Sequence, residues 1–346
     1  SHKVGTDTYR FGINGNNKDT PLSFVADPST AAITRGNLTV TKDNAVANGS
    51  DTNEVMAKVT DANGYPVTNM AVTFSAGNGA KITATGTTGA DGTVKVTLTN
   101  LKSGTAPVTA SVNNSTRQVS TTFTVDEGTV TISKGTLPVT KDNATANGTD
   151  TNEVMAKVTD ASGNPAPGIM VNFSADNGAT IAATGKTGTD GTVKVTLTSL
   201  KAGTIAVKAT LKNGNNQQVN TTFVADSSTA AITKGNLTVT RDGAKADDTD
   251  TNEVMAKVTD TNGNPVANVS VDFSANNSAK ITATGKTAAD GTVKVTLTSL
   301  KAGVAAVTAK VNTNSQSVNT TFKADSTTAT LTKSNLTVTA DGAIAN

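Results

Sequence analysis

An eleven-residue stretch, Asp51-Thr-Asn-Glu-Val-Met-Ala-Lys-Val-Thr-Asp61, returns unchanged at residues 150–160 and 250–260. Between Val55 and Val59 its apolar residues occupy every second position. This alternation is typical of a β-strand that has one buried face. The stretch therefore predicts β-structure, and its spacings of 99 and 100 residues predict an internal repeat.

A second block and an aromatic marker follow the same period. Residues 91–99 return at 190–198 and 290–298, and the tripeptide Thr-Thr-Phe recurs near the end of each unit. A period near 100 residues exceeds the 20–50 residues of a solenoid unit and matches a domain that buries its own core. The predicted ranges are 1–27 for an N-terminal remnant of a preceding segment, 28–126, 127–226 and 227–325 for repeats 1, 2 and 3, and 326–346 for the start of a truncated following domain.

Strand and turn signals fill each repeat. β-Branched residues dominate, and Asp-Gly pairs such as Asp91-Gly92 mark hairpins. The one extra residue of repeat 2 is expected in the polar turn 213–216. About seven strands per repeat predict an all-β chain of three tandem immunoglobulin-like β-sandwiches in an elongated rod, without disulfides because Cys is absent. The Phe residues expected in the cores are Phe74, Phe123, Phe173, Phe223, Phe273 and Phe322, together with Phe24 at the end of the N-terminal remnant.

The composition excludes several kinds of chemistry. Lys and Arg number 29 against 27 Asp and Glu, and no basic cluster with interleaved aromatics occurs, so nucleic-acid binding is not expected. The only histidine, His2, belongs to a start that resembles the remnant of a purification tag. Without Cys or another His, thiolate sites, catalytic triads and imidazole metal sites have no donors. We therefore expect no enzyme activity, no cofactor, and no catalytic or metal-binding residues.

Carboxylates at recurring positions raise two alternatives. The acidic run 247–253 contains enough oxygen ligands for Ca²⁺, but its counterparts in the other repeats lack the two leading carboxylates, which favours a structural turn. Asp51 and Glu54 form a carboxylate pair of the kind that glycosidases use. Strand alternation, however, places Glu54 on the outer face together with Lys58, and this also disfavours a Lys–Asn cross-link into the core.

The junctions between repeats contain almost no Gly, Ser or Pro spacer, which predicts short and stiff linkers. Asp126, Asp226 and Asp325 each precede a lysine by about eight residues, so an Asp–Lys pair is expected across each junction. Features confined to one repeat mark the places where a dedicated binding site would lie. These are Tyr65, Pro107 and the segment 166–168.

The combined motifs resemble the group-1 bacterial Ig-like domain of the invasin/intimin family, also called inverse autotransporters. The resemblance covers residues 28–325, and it rests on the segments 38–43, 51–55, 59–64, 72–75, 87–88, 91–94 and 98–99 with Gly104. It implies an outer-membrane barrel anchor outside this chain and a row of Ig-like domains that project from the bacterial surface. The Cys- and Trp-bearing tip of some members is absent, so receptor binding by that tip does not transfer.

The resemblance implies a rigid stalk that acts in adhesion, as a monomer with no membrane contact of its own. The expected partner of the whole adhesin is a host cell-surface receptor or an extracellular matrix protein. Two alternatives remain open: the repeats bind such a partner directly through loops or edge strands, or they form an accessory array of an exported carbohydrate-active enzyme. The absence of Trp disfavours the second alternative.

Overall fold

A computed structural model describes residues 3–331, 335–339 and 342 of the chain. The described residues form strands and three-residue 3₁₀ turns at Pro28–Thr30, Glu127–Thr129, Ser227–Thr229 and Ser326–Thr328. In this part of the chain no helix has the length and apolar character that a membrane span requires. His2 lies outside the described residues, as do residues 332–334, 340–341 and 343–346 of the predicted truncated domain.

A hairpin, β1 (Gly5–Ile13) and β2 (Asn16–Phe24), precedes repeat 1. Its register pairs Gly5 with Phe24, just as the last hairpin of repeat 1 pairs Gly104 with Phe123. No second sheet covers it among the described residues, and Phe11 is 64% exposed. The prediction that Phe24 is a core residue is therefore wrong: this ring is only half-buried, because the facing sheet that buries Phe123 has no counterpart here.

Repeat 1 folds as two packed sheets. Its strands are β3 (Leu38–Lys42), β4 (Ala45–Val46), β5 (Asn53–Lys58), β6 (Ala71–Ala76), β7 (Lys81–Ile82), β8 (Thr85–Thr87), β9 (Thr93–Thr99), β10 (Gly104–Val112) and β11 (Ser115–Thr124). One sheet has the order β3-β5-β9-β7 and the other the order β4-β11-β10-β6-β8. Neighbouring strands are antiparallel except for the short parallel pair β4 and β11.

Repeat 2 has the same two sheets. Its strands are β12 (Val139–Lys141), β13 (Ala144–Thr145), β14 (Asn152–Lys157), β15 (Met170–Ala175), β16 (Thr180–Ile181), β17 (Thr184–Lys186), β18 (Thr192–Thr198), β19 (Gly203–Leu211) and β20 (Asn216–Val224). The sheet orders are β12-β14-β18-β16 and β13-β20-β19-β15-β17. The extra residue lies in the turn between β19 and β20, where Gly214 adopts a φ of +87°.

Repeat 3 follows the pattern with one strand fewer. Its strands are β21 (Leu237–Arg241), β22 (Asn252–Lys257), β23 (Ser270–Ala275), β24 (Lys280–Ile281), β25 (Thr284–Lys286), β26 (Thr292–Thr298), β27 (Gly303–Val311) and β28 (Asn314–Phe322). The sheet orders are β21-β22-β26-β24 and β25-β23-β27-β28. A single parallel bridge between Lys245 and Lys323 stands where the other repeats have their short parallel strand.

The cores lie between the sheets and are built from the residues that alternation predicts. In β5, Val55 and Ala57 are fully buried whereas Lys58 is exposed. The six Phe residues at the two repeat positions are 1–5% exposed, which confirms their assignment to the cores. The all-β, Ig-like sandwich prediction is thus confirmed.

The asparagine of the repeated stretch joins the two sheets of each repeat. In repeat 2, Asn152 is fully buried, and its Oδ1 accepts a hydrogen bond from the N–H of Ala144 at 2.9 Å. Its Nδ2 donates to the hydroxyl of Thr221 at 2.9 Å and to the carbonyl of Thr222 at 2.8 Å. Asn53 and Asn252 make the same bridge between the first part of the repeat and its last strand. An apolar residue would leave the Ala144 N–H without its partner and would remove one of two hydrogen bonds to the Thr222 carbonyl, which also accepts from the N–H of Asn143 at 3.0 Å.

We predict that Asn152→Ala lowers the free energy of unfolding of repeat 2 by about 1–3 kcal/mol, because the buried N–H of Ala144 loses its partner and the Thr222 carbonyl loses one of two. Hydrogen exchange of the intact chain measures this effect, with repeats 1 and 3 as internal references. Asn172→Ala, an exposed change on β15, is the matched control. Equal protection of repeat 2 in both variants would contradict the bridging role.

A carboxylate adds a second tie to the last strand. Oδ1 of Asp142 accepts hydrogen bonds from the Thr221 hydroxyl and the Thr222 N–H, both at 2.7 Å, and from the Asn143 N–H at 2.9 Å. Burial alone would raise the pKa of Asp142, but these hydrogen bonds outweigh it and hold the pKa below its ordinary value. Asp43 and Asp242 are held in the same way in the other repeats.

Because the folded state lowers these three pKa values, we predict stability that is complete above the ordinary Asp pKa of about 3.9. It is then lost as the pH falls through the lower folded-state values. Changing Asp43, Asp142 and Asp242 together to Asn should lower Tm at pH 7 and flatten its fall between pH 4 and pH 2. Calorimetry across that range checks this, with Asp272→Asn on exposed β23 as the control. A parallel fall in Tm for the wild type and the triple variant would rule the idea out.

Candidate functional site at the junctions between repeats

The loop that follows the repeated stretch is shaped by one buried carboxylate. Asp160 is 3% exposed, and its Oδ1 accepts hydrogen bonds from the N–H groups of Ser162 and Asn164, both at 2.9 Å. Its Oδ2 accepts from the side-chain amide of Asn164 at 2.9 Å and from the N–H of Asp126, in the linker, at 3.3 Å. One carboxylate thus fixes the loop, orients an amide and ties the loop to the linker.

The amide that Asp160 orients contacts the preceding repeat. Oδ1 of Asn164 accepts from the N–H of Ser103 at 3.0 Å, and its Nδ2 donates to the carbonyl of Leu101 at 2.8 Å. The side chain is 8% exposed, so these bonds are largely shielded from water. A primary amide carries one acceptor and two donors on a rigid plane, which lets it pair with a backbone N–H and a backbone C=O at once.

The second junction repeats this arrangement. Asn264 accepts from the N–H of Ala202 and donates to the carbonyl of Leu200, both at 2.9 Å. Asp260 again holds the amide and the linker, through the N–H of Asp226 at 3.1 Å. Asn262 adds a bond to the carbonyl of Ala146 at 3.0 Å, where repeat 2 has only a weak contact from Ser162. We call the Asp160–Asn164 and Asp260–Asn264 pairs the junction clamps.

Repeat 1 has the same loop after the repeated stretch, but it has no asparagine at the position of Asn164. Asp61 accepts from the N–H groups of Asn63 and Tyr65 and from that of Asp27 in the preceding linker. Burial would raise the pKa of Asp61, but the backbone N–H groups lower it below the ordinary value. Tyr65 occupies the position of Asn164, and its ring cannot pair with an N–H and a C=O together. The junction before repeat 1 therefore lacks this clamp.

The Asp–Lys pairs expected across the junctions do not form at Asp126 and Asp226. Their Oδ1 atoms cap the following 3₁₀ turns instead, through N–H groups at 3.0 Å, and neither Lys134 nor Lys234 has an ion-pair partner in the described part of the chain. The third expected partner, Lys333, lies outside the described residues. The carboxylate of Asp325 meets Lys245 at 3.9 Å instead. These caps join residues only two positions apart. They therefore order less side chain than an ion pair with a long, flexible lysine would.

Pro107, one of the features confined to a single repeat, has a structural explanation. At this position Ala206 and Ala306 donate their N–H groups to the side chains of Asp176 and Asn276, respectively. Pro107 has no N–H, and the residue opposite it is a glycine without an acceptor side chain, Gly77. The two changes compensate each other, so Pro107 marks an altered turn rather than a binding site.

The acidic run in repeat 3 serves as a turn. Oδ1 of Asp247 accepts from the N–H groups of Thr249 and Asp250 at 2.8 Å. Asp248 pairs with Lys280, and Asp250 pairs with Arg241 at 2.7 Å. Across residues 3–331, 335–339 and 342, no group of three or more acidic, His or Cys side chains is placed to hold a metal ion. The carboxylates are thus engaged by side chains and N–H groups of their own repeat.

Glu54 faces outward as predicted and is paired. Its Oε1 lies 2.9 Å from Nζ of Lys95 and accepts from the hydroxyl of Thr41 at 2.6 Å. The Thr41 hydroxyl and then the Lys95 ammonium lower the pKa of Glu54. A carboxyl that stays ionised in this way is the opposite of a general acid, which needs a raised pKa. Lys58 is exposed, as expected.

Comparison with known proteins identifies the family of these repeats. The model of the bacterial Ig-like domain (group 1) matches residues 35–124, 134–224 and 234–323. The chain belongs to this family. It is 34% identical over 319 residues to the inverse autotransporter adhesin YeeJ of Escherichia coli, and this match covers 86% of the chain but 13% of that relative's length.

Solved structures share the fold. Bacterial invasin, described as an integrin-binding protein, is 24% identical with a TM-score of 0.50, and the match covers 83% of this chain and 60% of that one. The Escherichia coli adhesin FdeC is 22% identical with a TM-score of 0.57, and the match covers 87% of this chain and all of that one. Both support the tandem Ig-like architecture.

We predict that Asn164→Tyr, which installs the residue of repeat 1, uncouples repeats 1 and 2 while leaving both folded. Residual dipolar couplings should then give two different alignment tensors for these repeats, whereas repeats 2 and 3 remain coupled through Asn264. The wild type should give one common tensor. Asn172→Ala is the control for a change in the same repeat outside the junction. A common tensor for repeats 1 and 2 in the Asn164→Tyr variant would show that the amide does not hold the junction.

Proposed function

We propose that this chain is a rigid Ig-like stalk segment of a bacterial surface adhesin of the invasin/intimin type. The observation that carries the proposal is the junction clamp, which is built twice from the same residue types with hydrogen bonds of 2.8–3.0 Å to the preceding repeat. Membership in the group-1 Ig-like family and the similarity to an inverse autotransporter adhesin support it. In this role the repeats separate an adhesive region from the envelope.

The proposal includes an anchor in the outer membrane and a host receptor or matrix protein as partner of the whole adhesin. The named relatives are adhesins rather than enzymes, which supports a role without catalysis. A stalk needs uniform repeats and fixed junctions. The three repeats share their sheets and bridging asparagines, and repeats 2 and 3 each carry a junction clamp.

A direct binding role is the second candidate. The observation in its favour is that several departures of repeat 2 from its neighbours gather at one surface. Binding of the whole chain and of each repeat to epithelial cells and matrix proteins separates the two roles. Binding by a single repeat would assign adhesion to that repeat. The stalk role predicts that neither the whole chain nor any single repeat binds, because a stalk only separates the adhesive region from the envelope.

We predict an extended particle in solution. Strands of about seven residues at about 3.3 Å each, plus loops, give roughly 30–40 Å per repeat and about 100–120 Å for three. Because the chain also carries the β1–β2 hairpin before repeat 1, small-angle scattering should give a maximum dimension of at least that length for the wild type. Asn164→Tyr combined with Asn264→Tyr should shorten the mean dimension and broaden the distance distribution. A compact particle, or a wild type as broad as the double variant, would refute the rigid-stalk proposal.

A further inference from the structure

The turn between β19 and β20 of repeat 2 makes fewer hydrogen bonds to the 3₁₀ turn at the start of its repeat than its counterparts make. In repeat 1, Nδ2 of Asn113 donates to the carbonyls of Pro28 and Ala31 at 3.1 and 3.2 Å, and repeat 3 has the same pair of bonds. In repeat 2 the inserted residue changes the turn, and Nδ2 of Asn213 donates to Val130 alone, at 2.8 Å. The turn stays joined to Ile132, whose N–H donates to Oδ1 of Asn215 at 2.8 Å, but Asn213 makes no bond to the carbonyl of Glu127, the first residue of the 3₁₀ turn.

A cavity of about 460 Å³ opens at this place. At two further positions repeat 2 differs from the other repeats, and both differences make the wall of this cavity more apolar. Gly168 replaces the asparagine of the other repeats, Asn69 and Asn268, and Met170, 50% exposed, stands where they have Ala and Ser. The walls include Glu127, Val130, Ile169, Met170, Leu211 and Lys212.

The cavity continues toward the first junction. A second cavity of about 480 Å³ lies between repeats 1 and 2, and Glu127 lines both. Val125 and Pro167 supply apolar surface in the second cavity, and Pro167 is again specific to repeat 2. Each volume lies within the range of small-molecule sites, about 300–1,000 Å³. Two adjoining cavities with a shared wall suit an extended chain that places one apolar side chain in each.

The charged side chains beside the cavities indicate which charge the ligand carries. Lys212 is a wall residue, and Cε of Lys186 lies 3.5 Å from the point where a Cβ on Gly168 would stand. In the described part of the chain neither ammonium has an ion-pair partner, and Glu127 is the single acidic wall residue of the first cavity. Two lysines against one glutamate favour a carboxylate on the ligand near Lys212.

We propose that repeat 2 carries a binding site for an extended segment of a partner protein. The segment has two apolar side chains at alternate positions, followed by an acidic residue. The apolar side chains fill the two cavities, and the carboxylate meets Lys212 and Lys186. This inference does not rest on the stalk proposal. The two cavities would be accessible to a partner whether the junctions of the chain are stiff or flexible.

The methyl groups of the methionines serve as NMR probes of peptide binding. The chain has five methionines, and Met170 alone lines the cavity, while Met155, half-buried on the outer face of β14, reports on another surface of the same repeat. The intact chain with ¹³C-methyl methionine is titrated with the peptide Ac-Gly-Leu-Ser-Leu-Asp-Gly-NH₂ to about 5 mM, a range that detects dissociation constants near 1 mM. We expect a saturating shift of the Met170 methyl signal and an unchanged Met155 signal.

Two control peptides and two variants test the assignment. Replacing Asp by Lys in the peptide, or both Leu by Ser, should weaken binding about tenfold or more, a change of about 1.4 kcal/mol. Gly168→Asn should have the same effect, because it fills the cavity with the residue of the other repeats. Asn69 and Asn268 adopt the positive φ that Gly168 has, so this variant keeps the fold. Lys212→Glu should reverse the preference between the Asp and Lys peptides.

Three results would overturn the proposal. The first is an unshifted Met170 signal at the highest peptide concentration while the Met155 signal shows repeat 2 folded. The second is an equal response to the Asp, Lys and Ser peptides. The third is a Met170 shift that follows protein concentration without peptide, which would mean that a second copy of the chain fills the cavities. None of these outcomes changes the scattering result, so failure here is distinct from failure of the stalk proposal.

Discussion

The organisation of this chain depends on the carboxylate of Asp160 and its equivalent Asp260. Each closes the repeated stretch, receives two N–H groups of its own loop, and holds an asparagine amide against the preceding repeat. Each also accepts an N–H of the linker. A buried carboxylate is tolerated because N–H donors surround it, and such charge-assisted bonds are stronger than neutral ones. The residue that ends a core strand segment therefore also fixes the relation between neighbouring domains.

Much of the fold was predictable because its signals are local. Alternation in the stretch that begins at Asp51 places the valines inward, and Asp-Gly pairs mark turns, so neither needs knowledge of distant residues. The role of Asn164 was not predictable in this way, since its partners Leu101 and Ser103 lie about 60 residues earlier in another domain. The only sequence signal was a polar Asn before Pro in repeats 2 and 3, against Tyr65 in repeat 1. The prediction that Phe24 is a core residue was wrong for a related reason. A local motif predicts that a residue lies on a strand, but not whether a second sheet covers that strand.

Near-identity of the repeats makes each departure informative. Pro107 and Gly77 change together, which preserves the turn and adds no new surface. The changes at Gly168 and Met170 compensate nothing in the repeat; instead they remove side-chain volume at one point and expose an apolar side chain at another. The differences at Gly168 and Met170 therefore alter the wall of a cavity, and the proposed binding site depends on them.

The chemistry of the clamps bears on how such a chain resists bending. Exposed ion pairs contribute about 0–1 kcal/mol and are screened by salt. The clamps of Asn164 and Asn264 use an uncharged amide against backbone groups. A carboxylate that accepts hydrogen bonds from its own loop and from the linker holds each amide. Their strength therefore depends on geometry and exclusion of water rather than on ionic strength. Lys245 and Asp325, at 3.9 Å, form the weaker kind of contact at the end of repeat 3. Buried amides, rather than ion pairs, are therefore the contacts that would hold the repeats of this nearly neutral chain in line if it acts as the stalk proposed above.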